Sequence, residues 1–260
     1  MVSKNSLAGR IAIVTGASRE RGIGTAICRS LATAGADIFF THWGQYDASM
    51  EWGAEDTWPD QLTRELRRAG VQVAHLEVDL ADPNAPQNIL DSVFSSMGEP
   101  SILINNATHS TEDGFENLSG EILDAHYVVN VRGTCLLSVE FARRFRGQRG
   151  GRIINIVSGQ DKGPMPRELA YVATKGAISA FSVSLAAEVG ALGITVNAVD
   201  PGPTDSGWMS SDTKELLKPK FPMGRIGQPE DAARLVVFLA SDDAEWITGQ
   251  IIHSDGGFRD

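Results

Sequence analysis

Tyr171 and Lys175 stand four residues apart in YVATK, Ser158 lies thirteen positions before the tyrosine, and Asn130 lies further back in NVRG. Spaced by four on a helix, a phenol and an ammonium share one face and reach one site. A tyrosine titrates near pH ~10, and a neighbouring cation lowers that value by favouring the phenolate. Tyr171 is therefore a candidate general acid at neutral pH. Reduction of a carbonyl builds negative charge on its oxygen, and donors aimed at that atom stabilise it; the hydroxyls of Ser158 and Tyr171 supply two. A Tyr-x-x-x-Lys pair by itself also occurs as an exposed pair on amphipathic helices, so the surrounding elements must decide.

Residues 10–15 (RIAIVT) are a short β-branched run, followed by a Gly-rich turn and a helical pattern through Ile23, Ile27 and Leu31 that ends at Gly35. This is strand, loop, helix. The alternation recurs in ADIFFT, VQVAHLEV, SILINN, GRIINIVS, GITVNAV and GQIIHS, each apolar enough to be covered on both faces. Seven such strands separated by helices predict an α/β chain forming, over residues 1–260, a single-domain doubly wound Rossmann fold. Its seven-stranded sheet is parallel with helices on both faces.

The turn after the first strand, TGASRERGIG, places Gly16, Gly22 and Gly24 where backbone must bend tightly and a helix must begin, with Ser18, Arg19 and Ile23 among them. Amide groups and the dipole at such a helix start attract phosphate, so the loop reads as a dinucleotide site. It is two residues longer than TGxxxGxG, around Arg19, Glu20 and Arg21, which leaves the individual phosphate contacts open. NAD-preferring folds place a carboxylate at the end of the second strand; here that end reads Thr41-His42-Trp43. With His42 there and Arg19 in the loop, a 2'-phosphate is the expected partner, and NADP(H) is expected over NAD(H).

A chain of 260 residues with 42% hydrophobic content can bury one large core. The 23 basic against 33 acidic residues give a net charge of -10, which disfavours nucleic acid or an anionic membrane as partner and favours a small-molecule substrate. Cys28 and Cys135 lack metal-ligand spacing and read as reduced, buried thiols; no metal site is expected. The start MVSKNSLAGR has no apolar export segment and no run of about 18 uninterrupted apolar residues occurs, so a cytoplasmic location is expected.

Several stretches depart from the βα rhythm. Residues 43–59 (WGQYDASMEWGAEDTWP) read as an acidic insertion with three of the five tryptophans, either a cap or subunit contact or a cover over the adenosine end of the cofactor. Residues 205–224, with Trp208, Met209, Phe221 and Met223, read as a substrate lid whose apolar side chains face either substrate or protein. His109 is either a substrate contact or a solvated loop residue. Arg143, Arg144, Arg146, Arg149 and Arg152 read as a solvated helix end or as a dock for an acidic carrier protein or coenzyme A.

Together these motifs resemble the short-chain dehydrogenase/reductase family, nearest its 3-oxoacyl-ACP reductase-like branch, over essentially the whole chain. Besides the glycine loop, the likeness rests on Asp79-Leu80, Asn105-Asn106-Ala107, NVRG, Ser158, Tyr171 with Lys175, Pro201 to Thr204 (PGPT) and TGQIIHSDGG. The resemblance implies that Asp79 with Leu80 meets the adenine, that Asn106 and Ala107 support the nucleotide, and that Pro201, Gly202 and Thr204 line the nicotinamide side. It implies that Ser158 polarises the carbonyl, Tyr171 donates the proton, Lys175 holds the ribose and lowers the tyrosine pKa, and Asn130 completes a water-linked relay. Thr108 stands where the family usually has glycine. The expected function is NADPH-dependent reduction of a carbonyl to an alcohol, with an acyl-ACP or acyl-CoA thioester as candidate substrate. An NAD-dependent alcohol or sugar dehydrogenase is the alternative, and a catalytically silent nucleotide sensor a third. Ala173, Gly176, Ala177 and Ala180 after the tyrosine permit close helix packing, and the family likeness implies a homo-oligomer, dimer or tetramer.

Overall fold

The short apolar runs form seven strands: β1 (Ile11–Val14), β2 (Asp37–His42), β3 (Val73–Glu77), β4 (Ile102–Asn105), β5 (Gly151–Ile156), β6 (Ile194–Asp200) and β7 (Ile251–His253). The computed structural model describes residues 5–147 and 150–259, so Arg149 and the first four residues of the amino-terminal stretch lie outside it. The strands make one parallel sheet in the order β3-β2-β1-β4-β5-β6-β7. Strands β4, β5 and β6 are buried at every position, as parallel strands between two helix layers must be.

The helices are α1 (Ile23–Thr33), α2 (Gly44–Ala48), α3 (Trp58–Arg68), α4 (Ala85–Ser96), α5 (Gly120–His126), α6 (Thr134–Arg144), α7 (Leu169–Val189), α8 (Ser211–Leu217) and α9 (Pro229–Ala240). Successive strand residues point to opposite faces. Val14, Phe40 and Ile104 accordingly pack with Ile27, Leu31 and Val236 of α1 and α9. Their neighbours Ile13, Phe39 and Leu103 pack with Ile89, Leu137 and Leu185 of α4, α6 and α7. Residues 43–59 hold α2, and their last two, Trp58 and Pro59, already belong to α3. The segment 205–224 holds α8.

Strand order reverses between β1 and β4, which opens a crevice at their carboxyl ends. The chain turns there through Gly16 at φ +76°, and a Cβ on Gly16 would stand 2.7 Å from Ala107 Cα. A Cβ on Gly24 would stand 2.3 Å from the Gly16 carbonyl oxygen. Asn106 fastens the contact, its Nδ2 donating to the carbonyls of Thr15 at 2.9 Å and Gly16 at 3.0 Å. Gly24→Ala should therefore push α1 off the loop and destabilise the fold by about 1–3 kcal/mol, as overpacking does. Urea unfolding checks this; wild-type stability would mean that the loop has slack the distances do not show.

Candidate active site

The crevice is a cleft of about 1670 Å3. Gly16, Ser18, Gly22 and Ile23 form its floor. Gly22, the residue before α1, makes no side-chain cap, which leaves first-turn amides of α1 to receive phosphate. His42, Asp79 and Leu80 stand on one wall and Asn106 and Ala107 beside the floor, while Pro201, Gly202 and Thr204 lie toward the other end. Three expected residues stand behind the wall: Gly24 under Gly16, and Asn130 and Lys175 beneath the surface residues they support. The uncapped helix start, the tight loop and the long cleft fit a dinucleotide.

One expectation about this half is corrected. Arg19 is not free: its Nε pairs with Asp47 Oδ1 at 3.1 Å, its guanidinium lies 4.4 Å from the Trp52 ring centroid, and its Nη1 donates to the Ser206 carbonyl. The acid missing from the end of β2 is thus brought in by α2, and Trp52 Nε1 donates to the same Asp47 oxygen at 2.9 Å. Arg19 Nη2 has no partner among the described residues. Asp79 lies six residues before the start of α4 at Ala85, and its carboxylate accepts from the Ala81 amide at 2.8 Å. His42 is occupied as well, its Nε2 lying 3.0 Å from His75 Nδ1.

The other half gathers the proton-handling groups. Ser158 lies two residues beyond β5, where its hydroxyl is 3.9 Å from Met165 Sδ and near enough to the Tyr171 phenol to favour the phenolate. Tyr171 and Lys175 share the first turns of α7, with Lys175 Nζ 5.4 Å from the phenol ring centroid. The ammonium is buried and donates to the Ile156 carbonyl at 2.8 Å. The expected lowering of the tyrosine pKa is not found: burial, and next the Glu168 carboxylate, push it up, against a downward pull from the nearby Ser158 hydroxyl. Burial also pushes Lys175 down to about 8.

Asn130 sits in a π-helical turn, Tyr127–Gly133, between α5 and α6. Its Oδ1 accepts from the His109 amide at 2.7 Å and the Thr108 hydroxyl at 3.1 Å, and its Nδ2 donates to the His109 carbonyl at 2.9 Å and Thr174 Oγ1 at 3.0 Å. All four hydrogen-bonding capacities of the amide are filled, so its side chain pins the 108–109 loop to α7 rather than binding relay water. Thr108 takes a negative φ and needs no glycine there.

Sequence reasoning missed several cleft residues. Tyr46 in α2 donates its hydroxyl to the Ser110 carbonyl at 3.0 Å and accepts from the Ser110 amide, and its ring lies 5.4 Å from that of His109. His109 also meets His126 edge-on at 4.8 Å, so it is packed rather than solvated. Asp200, fully buried at the end of β6, accepts from the Gly202 amide and from His253 Nδ1, both at 2.8 Å. Lys162 pairs with Asp255 beside it. In the segment 205–224, Met209 and Phe221 are buried, Phe221 against Phe258, while Trp208 is half exposed on the cleft with Nε1 donating to the Thr204 carbonyl. Met223 is exposed and Cys135 is only half-buried.

The arginine-rich run lies at the amino-terminal edge of β5, opposite the cleft. Arg144 pairs with Glu140 and Asp91, Arg143 with Glu140, and Arg152 is buried in the protein. A carrier dock there would not face the site.

A family model described as Enoyl-(Acyl carrier protein) reductase matches residues 16–259. The uncharacterized oxidoreductase YjdA of Bacillus subtilis strain 168 is 55% identical over 96% of this chain and 96% of its own. The 3-oxoacyl-[acyl-carrier-protein] reductase FabG of Escherichia coli K12 is 35% identical over 96% of this chain and 97% of its own. A blue fluorescent protein from a metagenomic library, solved in complex with NADPH, is 30% identical with a TM-score of 0.86, over 97% of this chain and 99% of that one. The chain belongs to the short-chain dehydrogenase/reductase family and is an oxidoreductase.

The buried lysine gives this site a pH signature. Between about 8 and the ordinary 10.5, the unfolded chain keeps the Lys175 proton that the folded protein has lost, so this group adds stability as pH rises through that window. Measured against Lys175→Met, the wild-type protein should gain on the order of 2 kcal/mol across it, read by urea unfolding at both ends. A difference that stays constant with pH would mean that Lys175 remains charged when buried.

Proposed function

We propose that the protein is an NADPH-dependent carbonyl reductase, and that a 3-oxoacyl thioester on acyl-ACP or acyl-CoA is the first substrate to test. The observation that carries this reading is that Ser158 and Tyr171 line the same cleft as the uncapped start of α1, with Lys175 one helical turn behind the phenol. When bound, the cofactor supplies the hydride. Ser158 orients the carbonyl oxygen and Tyr171 donates its proton to that oxygen as charge develops there. A phenol whose pKa is raised stays protonated at neutral pH, as a donor must. Lys175 stands behind the phenol to hold the ribose, and Asn130 fixes the loop that walls the substrate.

Gly16, Ser18, Gly22, Ile23 and Asn106 would hold the pyrophosphate, with Asp79 and Leu80 at the adenine. The unpartnered Nη2 of Arg19 supports NADPH, as does the NADPH complex of the metagenomic relative. Arg259 at the cleft edge, whose guanidinium has no partner among the described residues, supports an anionic acyl carrier. Asp47 beside Arg19 favours a second reading, an NAD-dependent alcohol or sugar dehydrogenase. The proposal includes a homo-oligomer, dimer or tetramer, supported by the exposed stripe of Ala173, Ala177 and Ala180 on α7, and a cytoplasmic location, supported by two free cysteines.

Oxidation of NADPH, with NADH alongside, in the presence of a short 3-oxoacyl thioester tests this. Turnover should favour NADPH, Arg19→Ala should narrow that preference, and Tyr171→Phe should cut turnover by at least ~100-fold while NADPH still binds. Equal use of the two cofactors would favour the dehydrogenase reading, and a Tyr171→Phe rate equal to wild type would remove the acid from Tyr171.

A further inference from the structure

We infer that Glu168 selects carbonyl substrates carrying a hydrogen-bond donor, an ammonium or a hydroxyl group, close to the reacting carbon. The inference rests on the carbonyl-reductase reading and points, within it, to a substrate class other than the thioester.

Glu168 immediately precedes α7, three residues before Tyr171, and lines the same cleft. That position usually caps a helix, but the buried carboxylate of Asp113 does that work, accepting from the Leu169 and Ala170 amides at 2.6 and 2.9 Å. The adjacent cation is turned away. Arg167 has φ +67° and donates to Glu112 at the surface, while Lys162 is held by Asp255. The half-buried Glu168 carboxylate has no hydrogen-bond or ion-pair partner among the described residues. Glu168 and Tyr171 stand one helical turn apart and both line the cleft, and the carboxylate's own pKa is raised by burial, then by Asp113 and Glu112. A half-buried carboxylate with only like charges near it gains most from a donor that the substrate brings.

Aminoacetone, hydroxyacetone and pyruvate place an ammonium, a hydroxyl and a carboxylate beside one methyl ketone. The NADPH-loaded protein should reduce them with kcat/KM falling in that order. Glu168→Gln should lower kcat/KM for aminoacetone by roughly tenfold, mainly through KM, lower that for hydroxyacetone by no more than about threefold, and raise that for pyruvate. Glu168→Asp, which keeps the charge, should retain the order of preference if the Gln variant proves unstable. A uniform change for all three ketones would mean that Glu168 acts on Tyr171 and not on substrate, overturning the inference with the reductase reading intact. Binding is read separately by saturation-transfer NMR on Tyr171→Phe protein loaded with NADPH. If no carbonyl, thioester included, is reduced by the wild-type protein, the reductase reading fails; a preference for aminoacetone that Glu168→Gln abolishes in the binding assay still upholds the site, and equal binding of the three compounds overturns it.

Discussion

The approach of the β1 loop to the end of β4 governs the rest of the site. Gly16 and Gly24 leave no room for a side-chain carbon between the loop, α1 and Ala107, and Asn106 ties the two strand ends with hydrogen bonds from a single amide nitrogen. This closeness brings the positive end of α1 against the cleft floor, where phosphate is favoured. It also fixes the origin from which every later strand is laid down, because β5, β6 and β7 follow β4 in order across the sheet.

A second set of buried polar contacts carries that origin outward to the proton-handling groups. Asn105 at the end of β4 donates to Ser138 of α6 at 2.9 Å and to Asn155 of β5 at 2.7 Å, and Asn155 donates to Ser182 of α7 at 2.8 Å. Asn130 continues the chain by joining the His109 backbone to Thr174 of α7. Buried polar groups are costly unless paired, so these bonds allow few alternative registers of α6 and α7 against the sheet. Tyr171 and Lys175 inherit their positions from that register, and the π-helical turn around Asn130 is where the α5–α6 run accommodates it.

The strands were legible because a parallel sheet covered on both faces demands continuous apolar runs, and β1, β4, β5 and β6 announce themselves in RIAIVT, SILINN, GRIINIVS and GITVNAV. The loop glycines, Ser158, Tyr171 and Lys175 were legible because their spacing repeats a family pattern. Charge balance was not. Nothing in the string THWGQYD says that α2 folds back to set Asp47 against Arg19, since that contact joins residues 28 positions apart across a turn. The lysine's effect on the phenol was misjudged for a related reason: spacing reports that two groups share a helix face, while burial, which dominates both pKa values, depends on everything packed around them. That the Glu168 carboxylate is left without a helix cap to make was not legible, because it depends on Asp113 having taken over that cap from 55 residues upstream.

The stretches that break the βα rhythm meet each other over the cleft. The loop that is two residues longer than usual supplies Arg19 and Arg21; residues 43–59 supply Asp47, Trp52 and Glu55; the lid supplies Asp205 and Ser206. Arg19 joins Asp47 to the Ser206 carbonyl, Arg21 reaches Asp205 at 3.0 Å, and Glu55 accepts from the Glu20 amide at 2.8 Å. Arg21 is largely exposed, so its pair with Asp205 adds little stability by itself. The half-buried Arg19 is different, being stacked on Trp52 and paired with a buried carboxylate. Its charge is balanced by Asp47 whether or not a phosphate is near, which lets the longer loop fold against residues 205–224 without leaving the Arg19 charge unpaired. The departures from the family pattern are thus mutually dependent, and the lengthened loop is the element that touches both of the others.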